Sequence, residues 1–286
     1  MNNITWLASY PKSGNTWTRA FLTALTGDKC EVNINGLGRI SIASAVLPFE
    51  FSVGMRVSDL TENEIENLRP AAHQFLADMV DSHYFLKVHD AYIHTEKGVP
   101  LFPSSATHSA VYLLRNPLDV AVSWANHSNI SIQEAVDQLN NKNQCLAFRS
   151  VGGTLGNQLR QRMFTWGQHV KSWVDAKKIE VLPVRYEDMK TDAVSAFIKI
   201  VKLAELEKTD EEIMAAEKQC RFEKLKQQEE EHGFREKRAG SDSFFHRGQT
   251  GYWREELTDE QVTSITEHNG DVMQRFGYLD DRGHPL

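Results

Sequence analysis

Four short clusters in this chain of 286 residues hold side chains suited to handling anions. The first, YPKSGNTW, runs from Tyr10 to Trp17 between a short apolar run and an amphipathic stretch. Lys12 offers a point charge, Gly14 permits close backbone approach, Ser13 and Thr16 carry hydroxyl donors, and Asn15 carries an amide. Successive N–H groups at a strand-to-helix turn, with the positive end of a helix behind them, attract phosphate or sulfate oxygens. The second cluster, LKVHDAY, places Lys87 two residues before His89. A histidine with an unperturbed pKa of about 6.5 is mostly neutral at pH 7 and can take a proton from a reacting group. In the third, RNPLDVAVS, Arg115 can grip a phosphate through two N–H bonds and Ser123, eight residues on, adds a hydroxyl. The fourth, HRGQTGYW, holds His246, Arg247 and Gly248. Taken singly, each cluster has a plainer reading. Lys12 could be a solvated turn residue beside a capping Ser13, His89 a satisfied strand-end histidine, Arg115 the ion-pair partner of Asp119, and the last glycines a simple turn.

Such groups act together only if the chain brings them to one place. Residues 4–9, 84–89, 110–115 and 179–186 are apolar runs of strand length. Trp17, Ala20, Phe21, Ala24 and Leu25 recur at helical spacing, with Gly27 as a stop. Pro117 suits a first helical turn, and residues 192–206 are apolar-periodic. Thr61–Glu64, Thr209–Glu212 and Thr258–Gln261 have the form of a capping box. Strands alternating with helices predict an α/β fold, a parallel β-sheet flanked by helices on both faces. Ligands of such sheets lie beyond the carboxyl ends of the strands. Lys12, Lys87 with His89, Arg115 and Tyr186 would each end one strand, so four strand ends should converge on one crevice. Residues 28–58 are poor in helix signals, residues 141–157 carry Gly152, Gly153 and Gly156, and residues 223–243 are dense in charge and suit a lid or a solvated helix. No internal repeat, low-complexity tract or linker interrupts the chain, so a single domain over residues 1–286 is expected.

The net charge of −7 argues against a general nucleic-acid or anionic-membrane binder, while leaving room for a local basic pocket. Cys30, Cys145 and Cys220 match no metal spacing and read as free thiols in a reducing compartment. There is neither a basic leader nor an apolar run near the roughly 18 residues of a membrane span, and a cytoplasmic protein is expected.

The four clusters resemble, in the same chain order, the motifs of the cytosolic-type sulfotransferases that use 3′-phosphoadenosine 5′-phosphosulfate (PAPS). YPKSGNTW is similar to the family's YPKSGTTW loop, with Asn15 in place of a threonine. RNPLDVAVS resembles RNPKDVAVS, and RGQTGYW resembles RKGxxGDWK, with His246 where Arg is usual and Tyr252 where Asp is usual. YEDMK, WGQHVKSW and the segment holding Phe222 match smaller family patterns, and the similarity extends over nearly the whole chain. The resemblance implies a nucleotide-kinase-like sulfotransferase fold and transfer of a sulfuryl group from PAPS to a small-molecule hydroxyl or amine, releasing 3′-phosphoadenosine 5′-phosphate (PAP). It implies a 5′-phosphosulfate site at Lys12, Ser13, Gly14, Asn15 and Thr16. Arg115, Ser123, His246, Arg247 and Gly248 would hold the 3′-phosphate, and Trp17, Tyr186 and Phe222 would hold the adenine. It also implies catalysis by His89 as base with Lys87, Lys12 and Ser123, the serine restraining Lys12 before the acceptor arrives, and no metal. Asp90 replaces the family's leucine, from which a preference for a polar or cationic acceptor is expected. The family's KxxxTVxxxE dimer pattern is matched only by Arg254 and Thr258, which leaves monomer and dimer both open. Two rivals remain: a nucleotide or small-molecule kinase, which would need the absent G-x-x-x-x-G-K-[ST] loop, and a non-catalytic PAP-binding protein.

Overall fold

A computed structural model of the chain describes residues 3–147, 156–237 and 243–286. Gly152 and Gly153, and part of the charged run at 223–243, therefore lie outside the described residues. Strand β1 (Ile4–Ser9) is buried at every position and occupies the middle of a five-stranded parallel sheet. The sheet has the order β2-β3-β1-β4-β7, with β2 Ser41–Ile42, β3 Tyr84–Val88, β4 Thr107–Leu114 and β7 Val181–Arg185. A short antiparallel pair, β5 (Cys145–Leu146) and β6 (Gln161–Arg162), lies outside it. Because β1 and β4 are covered on both faces, they carry unbroken apolar runs, Trp6 to Ala8 and Ala110 to Leu114, instead of alternating. Their side chains still divide by parity. Trp6, Ala8, Tyr112 and Leu114 enter one core with Trp166 and Trp173, while Leu7, Val111 and Leu113 enter the other with Phe21, Phe197 and Ile200.

The first core is covered by α4 (Pro117–Ser128), α5 (Ile132–Leu139), α6 (Trp166–Val174) and α12 (Asp259–Arg275). The second lies under α1 (Asn15–Thr26), α8 (Ala193–Leu203), α9 (Asp210–Gln219) and α10 (Phe222–His232). Helices α2 (Val46–Val53) and α3 (Glu62–Met79) enclose a small satellite core around Phe49 and Ile65, and α7 (Tyr186–Thr191) and α11 (Trp253–Glu256) are single turns at the sheet end. The capping boxes at Thr61, Thr209 and Thr258 are formed, and Pro117 opens α4. Ser131 and Thr165 close two further boxes.

Gly27 ends α1 as expected, in an extended conformation, φ −84° and ψ 152°. Two expectations need correction. Residues 28–58 contain the 3₁₀ turn Ile34–Arg39 and helix α2, whose VLPFEFSV sequence lacks periodicity and is helical through packing on α3. Asp90 faces no acceptor: it is 1% exposed and takes both guanidinium N–H groups of Arg69 at 2.7–2.8 Å. Arg69 also donates to the Arg160 carbonyl, and the Ala91 N–H donates to the Arg162 carbonyl. This buried ion pair fastens the segment after β3 to α3, and through Arg69 to the chain entering β6.

Candidate active site

The carboxyl ends of the four expected strands open into one cleft of about 590 Å³. Lys12, Gly14, Asn15, Thr16, Trp17, Lys87, His89, Arg115, Ser123, Tyr186, Phe222, His246, Arg247 and Gly248 all line it. Of the residues expected in the site, Ser13 alone is absent from the lining; it is fully buried, and its Oγ has no hydrogen-bond partner.

The loop after β1 is built around backbone shape. Lys12 has φ +68° and Gly14 φ +97°, and α1 begins without a side-chain cap, so its first N–H groups face the cleft end of the sheet. A Cβ on Gly14 would come within 2.9 Å of the Tyr186 ring, so glycine is required for close approach as well as for φ. Asn15 departs from expectation: its amide N–H groups go inward, to the Leu7 carbonyl at 2.8 Å and Ser9 Oγ at 3.2 Å. The substitution therefore braces the loop on β1, leaving the backbone N–H for an anion.

At the end of β3, His89 Nδ1 lies 2.9 Å from the Ser9 carbonyl oxygen. A carbonyl can only accept, so Nδ1 carries the proton and Nε2 is the basic nitrogen. Burial, then the charge of Lys87, hold the imidazole well below its usual value, so it is neutral at pH 7. Lys12 and Lys87 are also half-buried. Burial and then Arg115 and Lys87 bring the Lys12 ammonium down to about 7. Its Nζ stands 4.0 Å from the centre of the Phe244 ring, while the Ser123 hydroxyl pairs with Tyr252, so the expected Lys12–Ser123 restraint is replaced by an aromatic contact. Lys87 is joined to Glu236 at 3.3 Å.

Arg115 does not pair directly with Asp119. It donates to the Lys12 carbonyl at 3.1 Å and the Gln249 carbonyl at 2.8 Å, tying the first and last clusters together, and its buried Nε is unpartnered. Its guanidinium lies over the Tyr186 ring at 4.4 Å and near Tyr252 at 5.6 Å. Asp119 instead accepts the Gly251 and Trp253 N–H groups, docking the C-terminal turn on α4. Gly248 has φ +60°, and a Cβ there would fall 2.4 Å from the Phe222 ring. Arg247 is held by Glu256 at 2.5 Å and Glu255 at 3.5 Å. Trp17 and Phe222 each lie within 6 Å of the Lys190 ammonium, and Trp17 meets Tyr186 edge-on at 6.0 Å, which makes an aromatic slot beside the loop.

The sequence reading did not single out Glu236, Phe244, Lys190, His127, Gln158 or Gln161, which also line the cleft. Only local signals such as the charge run hinted at Glu236. Among the described residues, no group of three or more His, Cys, Asp or Glu could hold a metal ion, and no helix is long and apolar enough to cross a membrane. The arrangement can bind a multiply charged anion, seat a flat ring and accept a proton at His89. Gly14 and Gly248, the orphaned Ser13 Oγ and Arg115 Nε, and the aromatic slot all fit a nucleotide carrying two anionic groups.

Comparison with known proteins agrees with this geometry. Residues 3–277 match the sulfotransferase domain family. The amine sulfotransferase of Oryctolagus cuniculus is 25% identical over 279 residues, covering 95% of this chain and 81% of its own. The flavonol 3-sulfotransferase of Flaveria bidentis is 24% identical over 290 residues, covering 92% and 79%. Mouse sulfotransferase SULT7A1 complexed with PAP superposes with a TM-score of 0.59 at 19% identity over 99% of this chain and 87% of that one. Retinol dehydratase complexed with retinol and PAP gives 0.61 at 19% identity, covering 96% and 82%. At these identities the two structures establish the fold. The chain belongs to the sulfotransferase domain family, and it is an enzyme of that class.

Proposed function

We propose that this chain, acting as one domain, transfers the sulfuryl group of PAPS to a hydroxyl or amine of a small-molecule acceptor and releases PAP. When bound, PAPS supplies an activated sulfuryl group on a phosphosulfate anhydride. The chain supplies placement and charge, which dominate transfers of this kind. The observation that carries the reading is the meeting of His89, Lys87 and Lys12 in the cleft that Arg115 ties to the C-terminal turn.

His89 takes the acceptor proton at Nε2 while its Nδ1–H stays on the Ser9 carbonyl. Lys87 faces the transferring oxygens, and Lys12 steadies the bridging oxygen of the leaving phosphate. The N–H groups of residues 13–16 and the hydroxyls of Ser13 and Thr16 hold the 5′-group. Arg115, Ser123, His246, Arg247 and the backbone at Gly248 hold the 3′-phosphate, with Arg247 exchanging Glu256 for it. Trp17, Tyr186 and Phe222 seat the adenine. The relatives named for amines and flavonols support a small organic acceptor, and the absence of a spanning helix among the described residues is consistent with action in the cytoplasm.

The test is His89→Ala. Loss of a general base typically costs about 10²–10⁴-fold, so radiolabelled sulfate transfer to a panel of phenols, alcohols and amines should fall by that factor while stabilisation by PAP is kept. Transfer at the wild-type rate by this variant would remove His89 from the mechanism; loss of PAP stabilisation would make it a structural residue.

A further inference from the structure

One carboxylate stands among the cations of the described cleft lining: Glu236, on the segment that follows α10. Its Oε1 accepts from Arg19 Nη1 at 2.6 Å, and its Oε2 accepts from Lys87 Nζ at 3.3 Å. The two cations come from separate elements, Arg19 from the buried side of α1 and Lys87 from β3. Arg19 is itself fixed, 3% exposed and donating toward the carbonyls of Leu37 and Ile40. Glu236 is thus a bridging carboxylate, held on one oxygen by an immobile guanidinium and presenting the other to Lys87. None of the recognised clusters contains it, and it lies 149 residues from the lysine it meets.

We propose that Glu236 is the positioning residue for Lys87, keeping that ammonium charged and pointed into the cleft beside His89 for the transfer step. This rests on the reading of Lys87 as the cation that faces the transferring oxygens. The physical need is plain. Burial favours the neutral amine, and the charge of Arg19 presses in the same direction. His89, the other titratable group nearby, is neutral. Glu236 is the group that opposes these effects at Lys87: burial would raise its own pKa, but Lys87 and Arg19 outweigh burial and bring it down to about 2, so it remains an anion throughout the working range. A neutral lysine could donate at most two hydrogen bonds and carry no charge to a developing anion. The carboxylate also supplies direction, because an unpaired lysine side chain has many rotamers.

The experiment follows the Lys87 side-chain resonance in uniformly lysine-labelled protein, assigned with Lys87→Arg, across a pH titration of wild type, Glu236→Gln and Glu236→Asp. The expected result is a Lys87 midpoint at least about one pH unit lower in Glu236→Gln, largely restored in Glu236→Asp, because one unit corresponds to a tenfold change in the protonation equilibrium. An unchanged midpoint in Glu236→Gln overturns the proposal. A second arm uses PAP with 4-nitrophenyl sulfate, reading release of 4-nitrophenolate as the sulfuryl group passes to PAP. In Glu236→Gln the alkaline fall in kcat should begin at lower pH, and Glu236→Asp should largely restore its position. A drop in kcat whose alkaline limb stays at the wild-type pH marks a merely structural residue and overturns the proposal. Failure of PAP to stabilise the wild-type protein instead overturns sulfuryl transfer itself, and the role assigned to Glu236 falls with it.

Discussion

At Lys12 the backbone and the side chain are both held away from their relaxed states. A non-glycine residue at φ +68° is uncommon, and a half-buried ammonium at about 7 lies far below the 10.5 of an unfolded chain. Between those two values the empty native protein binds fewer protons here than the unfolded chain does, so this group makes stability rise with pH over that window. A bound polyanion favours the charged form and reverses the shift. PAP binding should therefore take up close to one proton at about pH 8, and its affinity should decline as pH rises above about 7. Calorimetric titration in buffers of different ionisation enthalpy measures the uptake; binding with no proton exchange would show that Lys12 is already charged in the empty site. Gly248 makes a second residue-level prediction. Gly248→Ala strains a positive φ, at about 1–3 kcal/mol, and drives a methyl group into the Phe222 ring. Both thermal stability and PAP affinity should fall, the latter by about tenfold or more. Retention of full PAP affinity would place Phe222 outside the adenine slot.

Among the elements, a buried ion pair fastens the segment after β3 to α3, and through Arg69 to the chain entering β6. Removing one partner of such a pair leaves an uncompensated charge and costs about 3–5 kcal/mol. Asp90→Asn should accordingly lose stability on that scale in urea unfolding, with no change in which acceptors are used. A changed acceptor preference at unchanged stability would return Asp90 to the acceptor site. This residue also shows where the sequence stops being informative. The loop from Tyr10 to Trp17 was legible because its chemistry is local: strand, turn, anion-binding glycine and helix follow one another within a few residues. The strand ends were legible because continuous apolar runs mark a doubly covered sheet, and their carboxyl ends follow from parallel order. Asp90 was misread because its meaning depends on Arg69, which is 21 residues away in sequence and carries no signal of its own. Asn15 was misread for a related reason: its amide turns back to β1, a direction that composition does not encode. Helix α2 was missed because packing on α3, not periodicity, makes it helical. Glu236 and Phe244 lay in or beside a recognised charge run, but only the fold reveals that they meet Lys87 and Lys12.

For the whole molecule, a net charge of −7 coexists with a cleft carrying Lys12, Lys87, Arg115, Lys190 and Arg247. The low-dielectric walls of that cleft focus its positive field on a small anion that can enter. The proposed function assigns one phosphate-type group to each end of that cleft, the loop after β1 and the Arg115–Gly248 corner. A kinase would need one of them and a metal ion. The central claim is therefore tested most directly by titrating the protein with PAP and with 5′-ADP, each with and without Mg²⁺, and following thermal stability. At about 100 times its Kd a ligand adds roughly 2.7 kcal/mol, a rise of several degrees for a chain of this size. PAP alone should produce that rise, Mg²⁺ should add nothing to it, and 5′-ADP should fall well short. Equal or greater stabilisation by 5′-ADP with Mg²⁺ would contradict that claim.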